Sequence, residues 1–166
     1  MKLPVINISV SLNEIPNHIA VAVELGNCKQ KCHGCHSEWL SIPLPKKSWM
    51  ELETLMYQTN KQVKQGADAI VLMGGTHNGV STAELIEAIN ILSHYAPIGL
   101  YSGLPEKAEV HKRLMSVDVK LSWLKVGNYD AKCGDLTSPN TNQHFYQKNG
   151  KGTWEDITFL FWDEQH

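Results

Sequence analysis

The chain has 166 residues, with 15 Lys and Arg against 17 Asp and Glu for a formal net charge of -2. A typical domain of about 150 residues points to a single unit, and a complete eight-stranded α/β barrel, which takes about 250, does not fit. Near-neutral charge gives no global field toward nucleic acid or an anionic membrane, while 42% hydrophobic and 19% charged residues provide a packed core rather than a disordered chain.

From Ala88 to Pro105 the chain has no acidic or basic residue, but Asn90, Ser93, His94 and Pro97 lie within that stretch, so it does not read as a membrane span. Pro4, Asn7, Asn13 and Glu14 interrupt any apolar export segment, and the expected location is the cytoplasm. Thiols stay reduced there. The four cysteines therefore read as ligands or nucleophiles before they read as disulfides.

In chain order, HIAVAVEL from His18 to Leu25 alternates and predicts a first buried strand, with Ile19, Val21, Val23 and Leu25 on one face and Ala20 and Ala22 on the other. Ser48 and Glu51 are spaced as a capping box, and Leu52, Leu55, Met56 and Val63 follow at helical spacing up to Gly66. Asp68 to Met73 is a short apolar run stopped by Gly74 and Gly75, and a helix carrying Leu85, Ile86, Ile89 and Leu92 comes next. PIGLY, Pro97 to Tyr101, is a third strand ended by Ser102 and Gly103. Pro105 suits the first turn of a helix through Leu114. Beyond Val117 the segment VDVKLSWLKVG is strand-like, Gly127 to Thr141 is a loop, and Asn149-Gly150 marks a hairpin turn between HFYQK and TWEDITFLFW. The five tryptophans read as packing residues, with Trp39 and Trp123 as candidate interface anchors.

Strand and helix in alternation imply parallel strands joined by right-handed crossovers. Their carboxyl ends then share one rim, where α/β proteins bind ligands. Three loops are expected there: the one after Leu25, the Gly74-Gly75 turn and the Ser102-Gly103 turn.

The first of these loops holds three of the four cysteines. Cys28, Cys32 and Cys35 form a C-x3-C-x2-C pattern with His33 and His36 among them, and Cys133 stands apart. Three thiolates so close in sequence can converge on one metal centre. Zinc with three cysteines and His33 or His36 is one outcome. The spacing favours an iron-sulfur cluster, because no second knuckle follows. A 4Fe-4S cluster normally takes four cysteines, so three leave one iron open unless Cys133, read here as a small packing thiol, closes it.

The C-x3-C-x2-C loop after a first strand resembles the radical S-adenosylmethionine (SAM) superfamily. Within it, LGNCKQKCHGCHSEWL, LMGG, LYSG, LKVGNY, GDLTSP and TNQHFY, in order between about residues 18 and 147, resemble the proteins that activate anaerobic ribonucleoside-triphosphate reductases. The resemblance implies a single domain over residues 1–166. Its fold class is α/β, a partial (β/α) barrel of the radical SAM type with parallel strands, crossover helices and a C-terminal strand or hairpin extension.

It also implies that Cys28, Cys32 and Cys35 hold a 4Fe-4S cluster, that SAM chelates the open iron and is cleaved reductively, and that a glycyl radical is raised on the anaerobic (class III) reductase. A low-potential electron donor such as flavodoxin is the second expected partner; nucleic acid and membrane are not partners. Gly74 and Gly75 correspond to the family's glycine pair beside the SAM amino group. Gly34 and His36 flank the last ligand, with His36 toward the adenine, and Ser102 and Gly103 match a strand-end turn near the methionyl or ribose part.

One departure is Thr76, where the superfamily often has an acid; a hydroxyl still accepts from an ammonium, at about half the strength of a charge-assisted bond. Lys29 and Lys31 are placed to favour an electron on the cluster or to dock an acidic donor. Asn128, Tyr129, Thr141, Asn142 and Gln143 are candidates for contact with the reductase. The alternatives are a radical SAM enzyme acting on another glycyl-radical enzyme or a small molecule, and a non-catalytic zinc-binding module.

Overall fold

The computed structural model describes residues 1–29 and 41–162. Its main sheet has seven strands in the order β2-β3-β5-β6-β7-β8-β9. They are β2 (Val5–Ser11), β3 (Ala20–Leu25), β5 (Ala69–Met73), β6 (Ile98–Tyr101), β7 (Trp123–Val126), β8 (His144–Lys148) and β9 (Trp154–Asp156). A small second pairing joins β1 (Lys2–Leu3) to β4 (Met50–Glu51). Strands β3, β5, β6 and β7 are mutually parallel, whereas β2, β8 and β9 run antiparallel to their neighbours. Three α-helices occur among the described residues: α1 (Leu52–Lys64), α2 (Thr82–Leu92) and α3 (Glu109–Leu114). None is long and apolar enough to cross a membrane. The architecture is thus mixed α/β, with a parallel centre and antiparallel margins.

Alternation along the parallel strands sorts side chains into two layers. Val21, Val23, Leu25, Ile70, Leu72, Leu100, Leu124 and Val126 pack with Leu52 and Leu55 of α1, Leu85, Ile89 and Leu92 of α2, and Leu114 of α3. The opposite face carries Ala20, Ala22, Ala69, Val71, Tyr101 and Trp123 and is covered by Ile15, Leu136, Phe145 and Ile157. Small residues dominate its first strands. At Gly99 a Cβ would stand 3.1 Å from Ile15 Cδ1 and 3.2 Å from Trp123 Cβ, so that close cover depends on the missing side chain.

Several expectations are met by this arrangement. The three strand-then-helix units occur in order, and HFYQK pairs antiparallel with β9 across a turn that starts at Asn149. Others need correction. Ser48 and Glu51 form no capping box: Lys46–Ser48 is a short 3-10 turn, and Glu51 at the N-cap of α1 makes no side-chain cap bond. The backbone there is recruited elsewhere, because Met50–Glu51 pairs with Lys2–Leu3 and the Leu52 amide donates to Met1 O at 3.0 Å. A capping box does exist at α2, where Ser81 Oγ accepts from the Glu84 amide at 3.1 Å and the Glu84 carboxylate accepts from the Ser81 amide at 3.4 Å. Ile19 lies outside β3 and is 41% exposed; its amide donates to Asp68 Oδ1 at 2.8 Å. Helix α3 begins at Glu109 rather than near Pro105. Trp123 is buried and donates from Nε1 to Gln147 Oε1 at 3.0 Å, which removes it as an interface anchor; Trp39 lies outside the described residues. Strands β1 and β2 have no counterpart in the sequence expectation.

Thr59 on α1 is fully buried, and its hydroxyl has no hydrogen-bond partner among the described residues. An unpaired buried hydroxyl costs free energy that a methyl group of the same shape does not. Thr59→Val is therefore expected to raise the unfolding free energy by about 1 kcal/mol, read as a higher urea midpoint at unchanged slope. A lower midpoint would mean that the hydroxyl is satisfied in the folded chain.

Candidate functional site

The four parallel strands release their chains on one edge of the sheet. Backbone bonds continue the ladder past the strand ends: Gly74 N donates to Tyr101 O at 3.0 Å, Ser102 N to Lys125 O at 2.8 Å, and Gly127 N to Leu104 O at 2.8 Å. The exits therefore leave in register, side by side.

Asn78 ties the first exit to the second. It is fully buried, and its Nδ2 donates to Leu25 O at 3.2 Å and to Gly26 O at 2.5 Å. Its Oδ1 accepts from the Gly75 amide at 2.6 Å. The glycine pair fits around this side chain. Gly74 and Gly75 have φ of +110° and +115°, a region that L side chains rarely adopt. A Cβ on Gly74 would meet Asn78 at 3.1 Å, and one on Gly75 would meet Leu85 Cδ1 at 2.9 Å. Both glycines thus answer a turn geometry and a packing constraint inside this chain.

Asn27 pins the cysteine segment at its mouth. Its own φ is +62°, its amide donates to Ile42 O at 3.3 Å, and its Oδ1 accepts from the Leu44 amide at 2.8 Å. These bonds set Asn27 beside Ile42 and Leu44 at the strand edge. Cys28, the next residue, is half-buried. Cys32, Gly34, Cys35 and His36 lie outside the described residues, as does Lys31, while Lys29 is exposed. Among the described residues, which omit two of the three loop cysteines, no three His, Cys, Asp or Glu side chains converge.

What the described residues do bring together is a continuous line of polar side chains across three exits. Cys28 Sγ lies 3.1 Å from His77 Nε2. His77 Nδ1 lies 2.9 Å from Thr76 Oγ1, which lies 3.1 Å from Ser102 Oγ. Ser102 Oγ lies 2.7 Å from His111 Nε2, and His111 Nδ1 lies 3.1 Å from the Glu106 carbonyl. Ser102 is only 1% exposed and also accepts from the Leu104 amide at 3.3 Å. Gly103 follows on the same turn, half-buried. Burial lowers the pKa of both His77 and His111 from the ordinary value of 6.5. Of this line, Cys28, Thr76 and Ser102 were legible in the sequence. His77 and His111 were not, and neither was Asn78, because a single His or Asn outside a spaced motif leaves no local pattern.

On the sheet face opposite the helices, the same strand ends border a cavity of about 290 Å³. Met73, Tyr101 and Lys125, at the ends of β5, β6 and β7, form one wall, with Glu14, Tyr129 and Gln143 among the other lining residues. Tyr101 donates from its hydroxyl to Glu14 Oε2 at 2.8 Å and to Glu14 O at 2.5 Å. Burial, then the Glu14 carboxylate, push the phenol well above its usual range. Lys125 Nζ sits 4.3 Å from the centre of the Tyr101 ring, within cation-π reach. Buried Gln143 donates to Gly127 O at 3.3 Å. Cys133 is in the neighbouring Asp130–Gly134 turn, its Sγ 3.8 Å from Asp130 Oδ2.

The lowered histidine pKa values carry a sign. A histidine held neutral in the fold binds its proton more readily when unfolded, so stability is fully present above about pH 6.5 and falls as the pH drops below it. Urea unfolding at pH 7 and pH 5.5 is expected to show that loss, and His111→Gln is expected to flatten it; an equal slope in the variant would remove His111 as a source.

Comparison with protein-family models, with curated proteins and with solved structures returns no match to this chain.

Proposed function

We propose that the chain is a radical SAM activase, which cleaves SAM reductively at a 4Fe-4S cluster and raises a glycyl radical on an anaerobic ribonucleoside-triphosphate reductase. The observation that carries this reading is a convergence. Met73 of LMGG, Tyr101 of LYSG, Lys125 and Tyr129 of LKVGNY, Asp135, Leu136 and Thr137 of GDLTSP, and Gln143 of TNQHFY all line one cavity. Segments up to seventy residues apart, singled out because they resemble one family, thus line one cavity at the strand ends, although Cys28, Gly74, Gly75, Thr76, Ser102 and Gly103 are not among its lining residues. The finer fold reading, a partial (β/α) barrel, is supported by three crossover helices on one face and by the small residues Ala20, Ala22, Ala69 and Gly99 toward the cavity side.

The donor set fits the group. Cys28 lies half-buried just past the end of β3, and Cys28, Cys32 and Cys35 would hold the cluster. When bound, such a cluster supplies the electron that splits the sulfonium of SAM into methionine and a 5'-deoxyadenosyl radical. The remaining work falls to this chain's own residues. Thr76 gives and receives one hydrogen bond inside the protein and keeps a lone pair that can accept from an ammonium. Tyr101 and Glu14 close the cavity wall, and Lys125 keeps its cation over the Tyr101 ring at the rim. Asn128, Tyr129, Thr141 and Asn142 form the reductase-facing side of this reading, while Gln143 is buried and lines the cavity instead; its setting is cytoplasmic, with a flavodoxin-like donor.

A zinc-binding module is the second reading, and one observation favours it: a histidine nitrogen lies beside Cys28, and three cysteines with one histidine suit tetrahedral zinc. Anaerobic reconstitution followed by EPR with and without SAM separates the two. The activase reading expects a cluster signal perturbed by SAM, 5'-deoxyadenosine on reduction, and a glycyl-radical doublet when the reductase is added. It also expects Cys28→Ala, Cys32→Ala and Cys35→Ala each to lose the cluster, and Cys133→Ala to keep its full iron and sulfide. Stoichiometric zinc without a cluster, or loss of the cluster in Cys133→Ala, would sink it.

A further inference from the structure

We propose that Ser102 and His111 form a hydrogen-bond relay of fixed polarity that holds a proton on His77 Nδ1 and so leaves Nε2 as the nitrogen that faces Cys28. His77 is then a positioning residue for that sulfur, and Ser102 and His111 act through it.

The polarity follows from the far end of the line. A backbone carbonyl only accepts, so His111 Nδ1 must carry the proton that bonds Glu106 O. Burial favours the neutral ring, which leaves His111 Nε2 bare, and Ser102 must donate to it. A serine hydroxyl has one proton. With that proton committed, Ser102 accepts from the Leu104 amide and from Thr76. Thr76 has likewise one proton, now given to Ser102, so it accepts from His77 Nδ1. His77 Nε2 is the nitrogen left facing Cys28 Sγ. With His111 neutral, each assignment as far as His77 Nδ1 follows from the one before it.

Such outer partners orient a ligand before its cofactor arrives. The Lys29 amide to His77 O contact at 3.4 Å adds a backbone tie between the same two loops. The anchor itself is held from β8, since the Tyr146 hydroxyl donates to the Glu106 carboxylate. A path of side chains thus links β8 and the start of α3 to the first cysteine. That this sulfur is a cluster ligand rests on the activase reading, but the polarity does not.

Nitrogen-15 spectra of the histidine rings in the full chain at neutral pH, without added metal, test the relay. Both His77 and His111 are expected to be protonated at Nδ1, and His111 is expected to be bare at Nε2. Ser102→Ala is expected to abolish the single His77 form while His111 keeps its own, and Ser102→Thr, which retains the hydroxyl, is expected to preserve both. A His77 Nδ1 without a proton in the unmodified chain overturns the proposal, as does an unchanged His77 spectrum in Ser102→Ala. Should Ser102→Ala fail to fold, the unmodified chain and Ser102→Thr decide. Failure of the cluster or SAM experiments would leave these spectra as expected, so the two readings fall separately.

Discussion

Parallel pairing of β3, β5, β6 and β7 is the constraint from which the site follows. In a parallel ladder every strand must leave by the same edge, and each return needs a crossover on a face of the sheet. Three helices cover one face, which drives most of the larger aliphatic residues to that side and leaves the other face of the parallel strands to alanines, Val71, Gly99 and two aromatic residues. The consequence at the edge is that residues from distant stretches become neighbours. Cys28 and His77 meet across 49 positions and Asn78 and Leu25 across 53, without any long loop having to search for its partner.

Keeping those exits together requires polar groups, since an exposed turn has little apolar surface to bury. Asn78 is the strongest of these ties. Its amide satisfies two carbonyls at the end of β3 and one amide of the glycine pair. Leaving such buried groups unpaired costs about 1–3 kcal/mol each, comparable to a sizeable part of a domain's net stability. The glycines are then read differently than by motif alone. Their positive φ lets the turn fold back over Asn78, so the geometry answers a need of the chain itself whether or not a ligand approaches.

How much of this was legible in the sequence depends on the range of the interaction. Alternation in HIAVAVEL, the glycine stops after Met73 and Tyr101, and the Asn149 turn act within a few residues, and each marks a real element. The Ser48-Glu51 spacing misled because its backbone is claimed by Lys2–Leu3, some fifty residues upstream. Strand β2 was missed because VINISVS is an edge strand with Asn7 and Ser9 turned to solvent, and its polar positions look like loop. At the site, cysteine spacing and the glycine pair stand out as local patterns. A lone histidine after Thr76, or another on a short helix, has no such pattern; only the folded edge gives His77 and His111 their partners.

The hydroxyl at position 76 makes sense within that edge. A carboxylate there would only accept. It could take the His77 Nδ1 proton, but it would leave Ser102 with a single proton and two acceptors, His111 Nε2 and the carboxylate. Satisfying both would require His111 to carry two protons, against the burial that holds it neutral. Threonine can give to Ser102 and take from His77 at once, so every contact from Glu106 O to His77 Nδ1 has one proton and no charge is buried along it. A hydroxyl at this position therefore completes an uncharged line of contacts from the start of α3 to the histidine beside Cys28.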